Sequence, residues 1–106
     1  MDESRYQQVA AVAFRAIEDM LDDVDAELVD VERSGDVLTL TFSSGSKAVI
    51  NTQRPTRQIW LAANARAWHF HYDEPTARWL SDKDGAELLS QIAAIVKAST
   101  GLDVRK

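Results

Sequence analysis

The sequence predicts an α+β fold: a two-layer sandwich in which an N-terminal and a C-terminal helix pack on one face of an antiparallel sheet of about six strands. Apolar residues recur at helical spacing at both ends of the chain and at every second position through its middle. Turn residues separate the alternating runs at short intervals, which is typical of antiparallel strands. A chain of 106 residues can bury one core, so we expect a single domain spanning residues 1–106, with the second sheet face left to solvent.

The first element is a helix over residues 3–24, because its apolar positions fall on one stripe at about 100° per residue. The stripe comprises Tyr6, Val9, Ala10, Ala13, Phe14, Ile17, Met20, Leu21 and Val24. On the same helical wheel Glu18, Asp22 and Asp25 project together, roughly opposite the stripe, with Asp19 and Asp23 beside them. We call these five residues the acidic ridge.

After residue 26 the period changes from 3.6 to 2. Residues 28–33 alternate so that Val29 and Val31 share one face of a strand while Asp30 and Glu32 share the other, and these two acids extend the acidic surface. Four further strands are predicted at 37–42, 46–51, 58–61 and 67–72, and a short last strand at 78–80.

The alternation also assigns side chains to the two faces of the sheet. Trp60 alternates with Ile59 and Leu61 along its strand, so its side chain points to the other face of the sheet, which the helices leave uncovered. An exposed tryptophan there suggests a contact with another protein. His69 and His71 point outward in the same way and are secondary candidates for metal binding, although outward histidines are more often simply solvated.

The second helix follows Asp84 and Glu87, whose spacing of three resembles a capping box. Its apolar face comprises Leu88, Leu89, Ile92, Ile95 and Val96. Gly101 should end this helix, since glycine adopts the left-handed conformation that closes many helices.

Charge and composition exclude several classes of function. Residues 1–36 carry eleven acidic and three basic residues, and such a surface repels nucleic acid. The chain has no cysteine, so it cannot form disulfides or ligate an iron-sulfur cluster through thiolates. No apolar run approaches the roughly 20 residues that span a bilayer, and the acidic start Met1-Asp2-Glu3 is unlike a signal peptide. We therefore expect a cytoplasmic protein without a membrane partner.

The acidic ridge predicts a weak, open metal site. Carboxylates suit hard cations such as ferric iron, calcium, magnesium and manganese. Helical spacings of three and four residues would bring Asp19 within reach of Asp22 and Asp23, yet nothing encloses an ion there. A solvated helix face without a ligand is the alternative. Catalysis is not indicated, because the chain has no cysteine nucleophile, glycine-rich phosphate loop or HExxH motif.

Residues 51–62 read Asn-Thr-Gln-Arg-Pro-Thr-Arg-Gln-Ile-Trp-Leu-Ala, which resembles the N-x-Q-x-P-x-x-Q-I-W-L-[AS] signature of the frataxin family. The ridge, the strand at 37–42, the His69-Phe70 pair and Trp79 fall at spacings similar to those of its bacterial (CyaY) branch, so the resemblance covers nearly the whole chain. Two places depart from the family pattern. Residues 66–67 are Arg-Ala where glycines are usual, and residues 85–87 read Gly-Ala-Glu where the family has Gly-Glu.

This resemblance implies an iron-binding accessory and regulator of iron-sulfur cluster assembly, which docks on a cysteine desulfurase and on the scaffold protein and is not an enzyme. It implies weak, reversible binding of Fe2+ or Fe3+ by Glu18, Asp19, Asp22, Asp23, Asp25, Asp30 and Glu32, with Glu3 and His69 as secondary ligands. The partner-binding residues it implies are Glu18, Asp19, Asp22, Asp23, Asn51, Gln53 and Trp60. We expect a monomer that can form a metal-dependent oligomer. Iron storage with ferroxidase activity in an oligomer, and a docking module with incidental metal binding, are the alternatives.

Overall fold

The computed structural model describes residues 1–104, and its two helices lie on one face of a six-stranded antiparallel sheet whose strands are in chain order. The elements are α1 (Glu3–Leu21), β1 (Val29–Ser34), β2 (Val37–Phe42), β3 (Lys47–Gln53), a 3-10 turn (Arg54–Thr56), β4 (Gln58–Ala63), β5 (Arg66–Asp73), β6 (Arg78–Ser81) and α2 (Leu88–Thr100). This confirms the predicted α+β sandwich. Within the described residues, neither helix is long and apolar enough to cross a membrane.

The sheet register determines which side chains enter the core. Leu38, Ile50, Leu61 and Trp68 stand opposite one another across β2 to β5, and all four are buried beneath the helices. Burying each such side chain stabilises the fold by about 1.5–3 kcal/mol. The next row must face away from the helices, because side chains alternate along a strand. The predicted phase of these strands is therefore confirmed.

The first helix is shorter than predicted. It ends at Leu21 with Asp22 as its C-terminal cap, and the backbone of residues 22–28 continues as a series of turns. Val24 keeps its place against the core from this turn segment, which is why the apolar period seemed to continue. Acidic residues at a helix C-terminus interact unfavourably with the helix dipole, and no basic residue offsets them in the last turn.

The second helix also begins differently from the prediction. Glu87 is itself the N-cap, since its carboxylate accepts hydrogen bonds from the Leu89 and Ser90 amides at 2.8 and 3.1 Å. Asp84 instead accepts from the Ala86 amide, and that hydrogen bond lowers the pKa of the Asp84 carboxyl. The predicted capping box was therefore wrong, whereas Gly101 ends the helix as expected, at φ 80°.

Tyr6 fastens α1 to the start of β4. Its hydroxyl donates a 2.7 Å hydrogen bond to the Gln58 carbonyl, and burial raises the pKa of this phenol. The contact fixes the backbone at Gln58, whose side chain lies on the open side of the sheet.

Candidate functional site

The acidic ridge lies where α1 ends and the chain turns toward β1. Asp19 is in the last turn of the helix, Asp22 caps it, and Asp23 and Asp25 belong to the following turns, so the prediction of a single helical face was wrong. All four side chains are exposed. Asp25 has a structural role, because its carboxylate accepts a 2.9 Å hydrogen bond from the Glu27 amide.

Within residues 1–104, Glu18 is the ridge residue that has a cationic partner. Its carboxylate lies 3.3 Å from the Arg33 guanidinium, which also stands 5.2 Å over the Phe14 ring. Glu18 is half-buried, and the arginine offsets its charge. The sequence gives no sign of this pair, because its members are fifteen residues apart and meet only after β1 docks beside α1.

The acidic residues form two groups instead of one row. A shallow depression of about 300 Å³ between α1 and β1 is lined by Glu18, Asp22 and Asp30. A second depression, of about 540 Å³, is lined by Asp19, Asp23 and Asp25 together with Asp103, which the sequence analysis missed. Asp103 reaches this place because the chain after α2 returns along the end of α1.

Glu32 lies on β1 outside both depressions, exposed on the open sheet face. No three histidine or acidic side chains within residues 1–104 are close enough together to hold one metal ion. Any ion bound here would have to draw exposed side chains together.

Glu3, a secondary ligand candidate, lies at the opposite end of α1 from the ridge. Its two carboxylate oxygens lie 3.4 Å from Arg57 and 3.7 Å from Arg54. This residue therefore ties α1 to the 3-10 turn and is not brought together with the other acids.

The open sheet face carries the remaining candidates. Asn51, Trp60 and His69 stand opposite one another on β3, β4 and β5, and Gln53 stands opposite Gln58. The Trp60 and His69 rings are stacked, with centroids 4.1 Å apart and planes at 13°. Trp60 has the predicted phase but is half-buried instead of exposed, because the imidazole covers one side of its ring.

Three residues that the sequence analysis did not connect with Trp60 form a hydrogen-bonded chain from it. The indole Nε1 donates to Gln58 Oε1 at 2.8 Å, and Gln58 Nε2 donates to Asp82 Oδ2 at 2.7 Å. Asp82 Oδ1 in turn bonds His71 Nδ1 at 2.5 Å. The phase of β4 and β5 already placed Gln58 and His71 on the face of Trp60, but nothing local indicates Asp82, which follows β6.

A family model described as a frataxin-like domain matches residues 1–102 of the chain. The chain belongs to the frataxin-like family. A curated relative, the iron-sulfur cluster assembly protein CyaY of Pseudomonas fluorescens (strain Pf0-1), is 36% identical over 103 residues, which cover 97% of this chain and 93% of the relative. The resemblance predicted from residues 51–62 is thereby confirmed.

Solved frataxin structures share the fold. Frataxin from Psychromonas ingrahamii matches with a TM-score of 0.90 at 31% identity, covering 98% of this chain and 96% of that one. Trimeric frataxin from the yeast Saccharomyces cerevisiae matches with a TM-score of 0.76 at 26% identity, covering 89% of this chain and 80% of the other. The two helices and six strands described above are thus the frataxin arrangement.

The position of the ridge at the C-terminus of α1 leads to a prediction about stability. Asp22→Asn combined with Asp23→Asn should raise the free energy of unfolding by about 1 kcal/mol, because repulsion among the acids and with the helix dipole is relieved. This corresponds to a rise of about 4–8 °C in Tm for a domain of this size. Calorimetry should show the rise.

Asp25→Ala is the matched control, since it removes an acid from the same segment but also an acceptor for the Glu27 amide. It should lower the free energy of unfolding by about 1 kcal/mol. A fall in Tm for the Asp22/Asp23 variant would contradict the description of these two carboxylates as solvated.

Proposed function

We propose that this frataxin-like protein is an iron-binding accessory and regulator of iron-sulfur cluster assembly that docks on a cysteine desulfurase and on the cluster scaffold. One observation carries the proposal: an exposed acidic surface at the end of α1 and a partly exposed tryptophan on the open sheet face belong to one small domain. Family membership supports it, because the P. fluorescens relative is named an iron-sulfur cluster assembly protein.

The acidic surface suits docking on a basic partner. Asp19, Asp22, Asp23 and Asp30 are exposed, so their field reaches into solvent and can steer a positively charged surface into contact. The open sheet face offers a second kind of contact, centred on Trp60 between Asn51 and His69. Aromatic residues of this type dominate the free energy of many interfaces. Calorimetric titration of this protein against the desulfurase and the scaffold tests the proposal, and failure to bind either would overturn it.

The metal role that we propose is weak and reversible binding of Fe2+ or Fe3+ by the ridge carboxylates with Asp30 and Glu32. Carboxylates suit hard ions, and the two depressions each gather acids from more than one element. Their exposure supports weak binding, because water competes for the ion and the carboxylates must move to reach it. Glu18, held by Arg33, and Glu3, held by two arginines, are the least available of the candidate ligands.

Iron titration should therefore perturb a small region without refolding the protein. In NMR spectra, Fe2+ should broaden the amide signals of Asp19, Asp22 and Asp23 most, with Kd well above the micromolar range that dedicated carboxylate cages reach. Diamagnetic Ca2+ provides the control for paramagnetic effects. Tight stoichiometric binding centred on His69 would contradict the proposed ligand set.

A docking module with incidental metal binding is the second candidate, and the pairing of Glu18 with Arg33 favours it, since one carboxylate of the ridge is already neutralised. Iron storage in an oligomer is the third, for which the trimeric yeast relative provides a structural precedent. We propose a cytoplasmic, non-enzymatic monomer that can form a metal-dependent oligomer. Iron content per subunit, measured on the species that sediment with iron, separates storage from docking, because storage requires many iron ions per subunit whereas docking requires few or none.

A further inference from the structure

The side chain of Trp60 is held in place by a stacked ring and by a chain of hydrogen bonds, although it lies on the open face of the sheet. One ring face lies against His69 at 4.1 Å, and its only polar atom, Nε1, is satisfied by Gln58. Gln58 is held at its other end by Asp82, and Asp82 is held by His71. These five residues come from β4, β5 and the turn after β6, so this arrangement depends on the assembled sheet.

We propose that Gln58, Asp82 and His71 are positioning residues, which lock the Trp60 indole in one orientation and make it an apolar platform for the docking partner. The amide of Gln58 has one orientation that serves both neighbours, because its oxygen must accept from the indole while its nitrogen donates to Asp82. Asp82 therefore sets the orientation of Gln58, and Gln58 sets that of the indole.

The chain of hydrogen bonds also determines what kind of contact Trp60 offers. Its N–H group is already used within the protein, so a partner meets the indole through the part of its carbon surface that is exposed between Asn51 and His69. An aliphatic or planar side chain fits that surface, whereas a hydrogen-bond acceptor finds no free donor on the indole. The value of a fixed indole for binding rests on the proposed docking function, whereas the fixed orientation itself does not.

An indole of Trp60 that is already fixed in the free protein should bind the docking partner more tightly than a mobile one. Immobilising one side chain on association costs about 0.5–1.5 kcal/mol, which corresponds to roughly a two- to twelvefold difference in Kd. A partner that meets a fixed indole avoids this loss. Asp82 is the best residue at which to test the effect, because its carboxylate bonds Gln58 and His71 and reaches the indole through Gln58.

The primary test uses the isolated protein and the indole N–H signals of its three tryptophans in 15N-labelled samples, with Trp60 assigned by Trp60→Phe. Gln58→Leu should shift the Trp60 signal and speed its hydrogen exchange about fivefold or more, as expected for one lost hydrogen bond. Asp82→Ala should move the same signal in the same direction. Asp82→Asn should restore it, because its amide can accept from Gln58 and donate to His71.

Asp103→Ala is the matched control, since it removes an aspartate paired only with Lys97 in the described residues, and it should leave the Trp60 signal unchanged. Unchanged Trp60 signals in both Gln58→Leu and Asp82→Ala would overturn the proposal, as would failure of Asp82→Asn to restore the signal. If Asp82→Ala does not fold, Gln58→Leu alone decides between the two results.

The second test measures Kd for the scaffold by calorimetry. Asp82→Ala should weaken binding about three- to tenfold, while Asp82→Asn stays within about twofold of the parent. If Trp60→Ala binds like the parent, the open face is not the docking surface, while the indole result stands. If the Trp60 indole signal is unchanged in both Gln58→Leu and Asp82→Ala, these residues do not position the indole, whatever the calorimetry shows.

Discussion

Combined reversal of three charges on the acidic surface, Asp19→Lys, Asp22→Lys and Asp23→Lys, should weaken association with the desulfurase about a thousandfold at low salt. Like charges facing one another across an interface cost several kcal/mol, and about 4 kcal/mol corresponds to that factor. All three side chains are exposed and lie at one end of α1, so the fold should survive. Calorimetry at low and high salt, with circular dichroism as the folding check, measures the effect.

Two control variants separate local from general electrostatics. The first control combines Gln8→Lys and Ala11→Lys, at two exposed positions in the N-terminal half of α1. These substitutions add positive charge to the protein at a distance from the ridge, so they should change Kd only a few-fold at low salt. Exchanging the charges of Glu18 and Arg33 preserves both their pairing and the net charge, and should have a similarly small effect. If net charge, and not the ridge, governs docking, the Gln8/Ala11 variant should lose as much affinity per added charge as the triple reversal, while the Glu18/Arg33 exchange binds like the parent.

Trp60→Ala should weaken binding to the scaffold about thirtyfold, or about 2 kcal/mol, with little change in its dependence on salt. The lost contribution is contact area and desolvation, which salt does not screen. The free energy of unfolding should fall by only about 1 kcal/mol, because the ring lies on the open face and loses one stacking contact and one hydrogen bond. Binding and thermal unfolding are measured on the same samples.

Two further variants calibrate this result. Trp68 faces the helices and is only 2% exposed, so Trp68→Ala should cost about 3–5 kcal/mol of stability by leaving a cavity in the core. Val12→Ala removes an apolar side chain that is 69% exposed on the helix layer and should change neither stability nor binding appreciably. If Trp60→Ala binds like the parent, the open face is not the docking surface.

Local sequence patterns were sufficient to predict the sheet and its two faces. The observed bounds of β2 are the predicted ones. In β4 the predicted alternation also holds, because Ile59 is buried beneath the helices while the next residue, Trp60, lies on the open face. Helix ends were harder to predict. The first helix ends at Leu21, where no glycine or proline signals the end of a helix. Val24 still packs against the core, as it would in a longer helix, so the apolar pattern gave no sign of the end either.

The contacts within the site could not be read from the sequence because they join distant residues. Arg33 reaches Glu18 from β1, and Asp82, which follows β6, reaches Gln58 on β4 past the intervening β5. Glu87 serves as N-cap where a shorter side chain is usual, so spacing rules assigned its role to Asp84. Such contacts depend on how elements dock, whereas a periodic pattern reports only which face of each element is buried.

The most direct test of the proposed regulatory role is a titration of desulfurase activity with this protein, repeated over a range of iron concentrations. The proposal predicts a saturable change in the rate of sulfur release, dependent on iron and reaching half its maximum near the measured Kd. The variant with lysine at Asp19, Asp22 and Asp23 should leave the rate unchanged at the same concentrations. A rate that is independent of this protein at every iron concentration, or that responds equally to both forms, would contradict the proposal.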